Sequence, residues 1–328
     1  FQLLDKSLRY LAVHPKNKKV TDHGEIVFET NILEDNKIIN QSLLETRLDI
    51  LVKEKKWKGA KAHILLMNNF VVIREESVPI QLERNEIREY LSLHMNESIR
   101  MPFENPVFDY QVFENDAENQ KLVLIAYPGD LIKEYQQLLN NVSLVPEVAD
   151  IISLSLYRLA ENQELVSVGE DVHSLILQWN TYSMNMGVFH LERPTFTRNS
   201  FAEHLVPAWE ETKEGEWVWQ QTKAELELTL NEQLNGLERF LDFYRYSVLN
   251  GENQISEIIL NGNYPDLNQI RELLIERFGL TVKTFDVPND LGPNFAALYG
   301  LTLKEVAIKE KNKKKTKKVS GVLGGSNK

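Results

Sequence analysis

FVVIREESVPIQLERNEIREYLSLHMNESIRMPFENPVFDYQV, residues 70–112, is the stretch on which the fold turns. An extended run, Phe70–Val78, ends at Pro79. A helical pattern follows, with Ile87, Tyr90, Leu91, Met95 and Ile99 spaced to share one face. Met101-Pro102-Phe103-Glu104 stops it, because a residue ahead of proline is pushed out of helical geometry. A second strand over Val107–Val112 puts Phe108, Tyr110 and Val112 on one side. No residue here has the setting of a catalytic group. The stretch predicts a small α+β unit.

The flanks alternate strands and helices. Residues 2–13 predict strand, tight turn, strand, and Gly24–Phe28 a short strand. A helix is expected over Ser42–Lys55 and a strand over Lys61–Met67. Beyond the opening stretch come a buried strand, Leu122–Tyr127, a helix that Asp130 can cap, and a strand at Val142–Val145. A helix is expected over Glu147–Leu159. Leu165–Val168, His173–Trp179 and Met184–His190 predict consecutive strands with turns at Gly169 and Asn180. The clearest periodicity spans Thr222–Val248, with Leu226, Leu230, Leu234, Leu237, Leu241, Tyr244 and Val248 in register. A strand (Glu257–Leu260), a helix (Leu267–Phe278), a strand (Thr281–Phe285) and a last helix (Asn294–Leu303) complete the pattern. The same alternation in both halves predicts two related α/β lobes.

Composition bounds the function. A chain of 328 residues exceeds one ordinary core. It is 42% apolar and 26% charged, as in soluble globular proteins. The absence of cysteine removes disulfides, thiolate metal sites and cysteine nucleophiles, and fits a reducing cytosol. No apolar run approaches the roughly 20 residues that cross a bilayer. Net charge is −11, unevenly spread: residues 309–328 hold eight Lys and one Glu, a balance of +7, which leaves −18 for the rest. The acidic body argues against a nucleic-acid partner. The basic run Lys309–Lys318 is either a disordered solvated tail or a peripheral contact with an anionic membrane face, worth about 1 kcal/mol per basic residue there. The seven histidines give no ligand triplet, so no metal site is expected. No P-loop, nucleophile elbow or G-x-G-x-x-G is present. Trp209, Trp217 and Trp219 form either a partner patch or the core of a small subdomain.

The opening stretch resembles the inserted small domain of the PilM family, actin-like cytoplasmic proteins of type IV pilus assembly. There a strand ending "IR…(I/V)P" precedes a helix that runs into "PF(E)-x-x-VFDY". This chain has Ile73-Arg74, Val78-Pro79 and Pro102-Phe103-Glu104-Asn105-Pro106-Val107-Phe108-Asp109-Tyr110. Arg239, Leu241, Asp242, Phe243 and Tyr244 match a second family pattern, with Gly236 in place of its Glu. The resemblance implies an actin-like, ribonuclease H-like α/β fold of two lobes with an inserted small α+β domain. Its parts would be residues 1–69 and 147–163 (first lobe), 70–146 (small domain), 164–290 (second lobe, with a subdomain about 192–225), 291–308 (closing helix) and 309–328 (basic tail).

Actin-like proteins bind ATP and a metal ion between the lobes through three backbone turns, and the resemblance implies where each lies. The first offers Asp5-Lys6-Ser7-Leu8-Arg9, without the family's glycine. The second has Ser167 where a carboxylate is expected, keeping Gly169 and Ser174, with Asp171 beyond the glycine. The third reads Leu260-Asn261-Gly262-Asn263-Tyr264-Pro265, with one glycine. Erosion at all three predicts a scaffold with no cofactor and no catalytic residue. It would bind the N-terminal cytoplasmic peptide of a PilN-like membrane protein in a groove between first lobe and small domain. It would also meet the assembly ATPase and other platform proteins at the inner face of the plasma membrane. The alternative is an ATP/Mg-binding, slowly hydrolysing or polymerising protein that uses Gly169, Asp171, Ser174, Gly262 and Asn263.

Overall fold

The structure, a computed structural model, describes residues 1–304 apart from 35, 96, 213–215 and 289–290. The expectations for the basic run 309–318 therefore lie outside the described residues. Gln2–Leu3 (β1), Ser7–Val13 (β2) and Val20–Val27 (β3) form an antiparallel meander. A short hairpin, Leu33–Glu34 (β4) and Lys37–Ile38 (β5), leads to helix Gln41–Glu54 (α1), which Asn40 caps through its side chain. Lys61–Leu66 (β6) then adds parallel to β1.

The inserted unit consists of Val72–Pro79 (β7), helix Arg84–His94 (α2), Pro106–Asn115 (β8) and Asn119–Pro128 (β9), with strand order β7-β9-β8, all antiparallel. Ile87, Leu91, Val78, Leu122 and Leu124 form its buried core, and Phe108, Tyr110 and Val112 pack on that core from one side of β8. The helix stops earlier than its periodicity predicts. Met95 leaves helical geometry (ψ 130°) and bridges to Ile99, so both side chains stay buried without a further turn.

Helix Gly129–Asn141 (α3) returns to the first lobe. Asp130 does not cap it. Pro128 is the cap position, and Asp130 lies in the first turn, where its charge suits the helix dipole. Val145–Ile151 (β10) is a strand parallel to β6, and helix Ile152–Asn162 (α4) begins only there. The expected helix over Glu147–Leu159 is thus corrected in its first half, where Val145, Val148 and Ile151 favour extended backbone.

The second lobe repeats the plan: His173–Trp179 (β11), Ser183–His190 (β12), Arg193–Phe201 (β13), a hairpin Trp209–Glu211 (β14) and Trp217–Trp219 (β15), helix Lys223–Phe243 (α5), Glu257–Asn261 (β16), helix Leu267–Phe278 (α6), Thr281–Thr284 (β17) and helix Ala296–Thr302 (α7). Its sheet order, β13-β12-β11-β16-β17, matches β3-β2-β1-β6-β10 of the first lobe. In each, a three-stranded meander is extended by two parallel strands. Leu165–Val168 forms no strand. Ser167 bonds the Glu257 side chain through its amide (2.8 Å) and its hydroxyl (2.7 Å), and Val168 is exposed. Trp209 is buried against Tyr264 and Trp219, and Trp217 and Trp219 pack on the same core, so the tryptophans serve the second lobe's interior.

Helices α4 and α7 fill the space between the two sheets. Leu156, Leu159, Ala160, Ala296, Ala297 and Leu301 are buried there with Ile176 and Ile259. Tyr157 of α4 stacks flat on Phe189 of β12, with ring centres 4.0 Å apart. A Cβ on Gly300 would lie 2.1 Å from the Ser155 carbonyl oxygen, so the helices meet backbone to backbone. Gly300→Ala should therefore cost about 2 kcal/mol of unfolding free energy in urea melts. Gly236, inside α5, has only the Met184 and Arg239 side chains near such a Cβ, at 3.7 and 3.8 Å. Gly236→Ala should stabilise by up to about 1 kcal/mol in the same assay.

One end of the second sheet holds a buried carboxylate. Glu257 accepts from Ser167 and Ser174 and pairs with Lys283 at 2.8 Å. Burial pushes its carboxyl up, but Lys283 and the serine hydrogen bonds outweigh this and hold it below the usual range. His173 beside it stacks on His190, and its Nδ1 lies 2.8 Å from the Tyr244 hydroxyl. Burial, then His190, lowers His173 from 6.5 to about 4. Both groups have depressed folded values, so each contributes stability at neutral pH that is lost on acidification. Stability should fall first through the interval from pH 6.5 to about 4, as the unfolded histidine takes up its proton. It should fall again below the ordinary carboxylate range. Glu257→Gln should cost about 3 kcal/mol at pH 7, with the gap to the parent narrowing towards pH 3 in urea melts.

Candidate functional site: the interlobe cleft and the groove beside the small domain

By topology, the β1–β2 turn and the β11–β12 turn are equivalent, one per lobe. The first is bound to its own surroundings. The Asp5 carbonyl accepts from the Ile32 amide (2.7 Å) and the Lys6 carbonyl from the Phe28 amide (2.8 Å). In the second, the Thr181 amide donates to Asn263 Oδ1, and the Asn263 amide donates to Asn180 Oδ1, both at 3.1 Å. The Thr181 amide is thus satisfied from the neighbouring loop, whereas its buried hydroxyl has no hydrogen-bond partner among the described residues. Tyr182 packs edge-on against Phe201 and Trp217. Burial, then the charges of Asp5 and Glu211, push its hydroxyl up to about 12. Burial and then Glu25 raise the Glu211 carboxyl, while Arg9, nearby, is already paired with Glu25 at 2.8 Å. Three carboxylates converge here from two lobes. Arg9 and Lys6 stand among them and lower the Glu211 carboxyl in part.

The five residues expected at the nucleotide do not come together. Gly262 and Asn263 follow β16 and sit against the β11–β12 turn. Ser174 lies at the other end of β11, paired in register with Glu257, and Gly169 and Asp171 precede that end. The strand between spans roughly 20 Å. Leu165–Val168 is not the first strand of the second lobe. That strand is β11, and its turn is Asn180–Tyr182. The signal was present in two apolar runs separated by Asn180-Thr181-Tyr182. Gly262 has φ +144°, and a Cβ there would lie 1.9 Å from the Trp179 carbonyl oxygen. Close approach to β11 accounts for this glycine without a ligand.

A second concavity, of about 610 Å³, opens where the small domain faces the first lobe. One wall is the side of β8 and β9 turned away from α2, with Val107, Gln111 and Ile125. The other is β10 and α4, with Ala149, Leu154 and Tyr157, and Phe189 and Glu192 close one end from the second lobe. β8 is an edge strand, paired only with β9 among the described strands. Arg88 on α2 bonds the Phe108 carbonyl (3.0 Å), pairs with Asp109 (2.8 Å) and lies over the rings of Phe108 and Tyr110. On the floor, Asp150 is 3% exposed, with Arg158 at 3.0 Å and Lys304 at 3.3 Å. Sequence reasoning passed over Asp150. The available signal was a lone acid inside Val148-Ala149-Asp150-Ile151-Ile152, since carboxylates are rarely fully buried without a partner.

Two lobes of one topology, an interlobe helix pair and an inserted α+β unit define an actin-like protein. The chain resembles a solved PilM–PilN type IV pilus biogenesis complex (17% identity, TM-score 0.70), covering 92% of this chain and 96% of that one. It also resembles the ethanolamine utilization protein EutJ from Carboxydothermus hydrogenoformans (7% identity, TM-score 0.51, 92% and 87% covered). A third likeness is to a Bacteroides thetaiotaomicron protein of actin-like ATPase fold and unknown function (13% identity, TM-score 0.47, 92% and 94% covered). No curated protein matches by sequence. The sequence profile of the family described as type IV pilus assembly protein PilM matches residues 7–202, and the chain belongs to that family.

Proposed function

We propose that this protein is a scaffold of a type IV pilus assembly platform, and that its working surface is the groove between small domain and first lobe. The occupant would be the N-terminal cytoplasmic peptide of a PilN-like membrane protein, with the scaffold held at the inner face of the membrane and in contact with the assembly ATPase. The observation that carries this is the groove itself, a concavity with apolar and charged residues in its walls beside the edge strand β8. Such a site suits an extended peptide, whose main chain can engage the edge while alternate side chains enter the wall. Family membership and the likeness to a PilM–PilN complex support the reading. Among the described residues no helix is long and apolar enough to cross a membrane.

In a peptide titration followed by fluorescence anisotropy, Val107→Asp should weaken binding at least tenfold, about 1.4 kcal/mol. Val107 is 48% exposed, so the fold should tolerate the change. Leu228→Asp, on the exposed face of α5, should leave affinity unchanged. Equal binding by both variants would move the site elsewhere.

Within the same proposal, ATP hydrolysis is not the protein's activity, a reading supported by the Thr181 and Asn263 amides, which donate to the Asn263 and Asn180 side chains. Isothermal titration with Mg-ATP should give no saturable heat at micromolar concentration, and micromolar affinity would restore the ATP-binding reading.

A further inference from the structure

Two carboxylates line the groove with no cation in salt-bridge contact among the described residues. Glu161 lies at the end of α4 in the first lobe. Glu192 lies in the β12–β13 turn of the second lobe, where Leu191 and Glu192 both adopt left-handed backbone, φ 48° and 62°. Two such residues are what a tight two-residue hairpin demands. Here neither is glycine, so the turn is held by its surroundings. Burial and then Glu192 raise the Glu161 carboxyl, while Arg158 and a hydrogen bond with Tyr157 oppose the rise in part. Arg158, one turn earlier on α4, is bound to Asp150.

The chain leaves the described structure at this same place. Lys304 lines the groove, its ammonium 3.3 Å from Asp150. The continuation, residues 305–328, carries eight Lys against two Glu. Fully extended it spans about 80 Å, several times what is needed to reach any point of the groove. It opens with Val306-Ala307-Ile308, ahead of Lys309–Lys318. Apolar residues followed by a basic run complement an apolar wall that ends in two carboxylates.

We infer that residues 305–328 of this chain occupy the groove, with their lysines against Glu161 and Glu192, so that the protein carries its own competitor for the site. Tethering sets an effective concentration of about 1 mM. A tail contact with a Kd of about 0.1 mM then weakens an incoming peptide about tenfold. The competition rests on the peptide reading given above, whereas the docking does not.

Carbodiimide treatment of the full chain, which joins a lysine amine to a carboxylate only in direct contact, tests the docking. Mass spectrometry should find links from Lys309–Lys318 to Glu161 or Glu192, in a yield independent of protein concentration. The yield should fall at least fivefold in the Glu161→Gln, Glu192→Gln double variant, whose changes are on exposed side chains. No links, or links spread evenly over exposed Glu203, Glu227 and Glu232, would overturn the inference. So would a yield that climbs with protein concentration, which would mean a second copy. Tail lysines protected from acylation only on phosphatidylserine vesicles would overturn it in favour of a membrane contact. A second arm changes Lys313, Lys314, Lys315, Lys317 and Lys318 to Gln and should tighten the PilN-like peptide about tenfold. Links to Glu161 or Glu192 with unchanged peptide affinity would uphold the docking and place the peptide elsewhere.

Discussion

The backbones of α4 and α7 touch at Gly300 and Ser155, and the two lobes and the groove are joined through that contact. The Ser155 hydroxyl donates to the Ala297 carbonyl, and Ala296, Ala297 and Gly300 leave room for the approach. α4 continues directly from β10, the edge of the first sheet, and packs on β11 and β12 of the second. It is also one wall of the groove. Lobe packing and groove shape are therefore set by the same eleven-residue helix. A change in the relative position of the lobes would carry Leu154, Tyr157 and Arg158 with it.

The two concavities differ in how their polar groups are satisfied. In the interlobe cleft the β11–β12 turn bonds to the loop after β16 through Asn180, Thr181 and Asn263, while the buried Thr181 hydroxyl has no hydrogen-bond partner among the described residues. In the groove the floor is neutralised from within, by Arg158 and Lys304 on Asp150, while the strand edge and the rim carboxylates face outward. A buried acid held by two cations is costly to leave half-paired. The last described residue of the chain is thereby tied to the groove.

What could be read from the sequence follows how local each signal is. The small domain was legible because Phe108, Tyr110 and Val112 alternate, and Ile87 and Leu91 repeat at helical spacing, within a few residues of one another. Val145–Ile151 was not, since Val148, Ile151 and Ile152 suit a helix face as well as a strand, and only pairing with β6 decides between them. Leu165–Val168 has strand composition, but Ser167 is bound by Glu257, ninety residues away, a partner that no window on the sequence contains. The cleft was misplaced for that reason. The floor of the groove is not legible in any one window, because Asp150 is paired only when Arg158 of α4 and Lys304 beyond α7 reach it.

The Tyr157–Phe189 stack has a mechanical consequence. The rings lie within 8° of parallel, one on each lobe, beside the groove. Offset parallel rings keep most of their attraction when they slide in plane and lose it quickly when pulled apart. The seam thus acts as a bearing. It permits the lobes to shear by small steps and resists their opening like a book. A joint so built yields more readily to sliding than to separation.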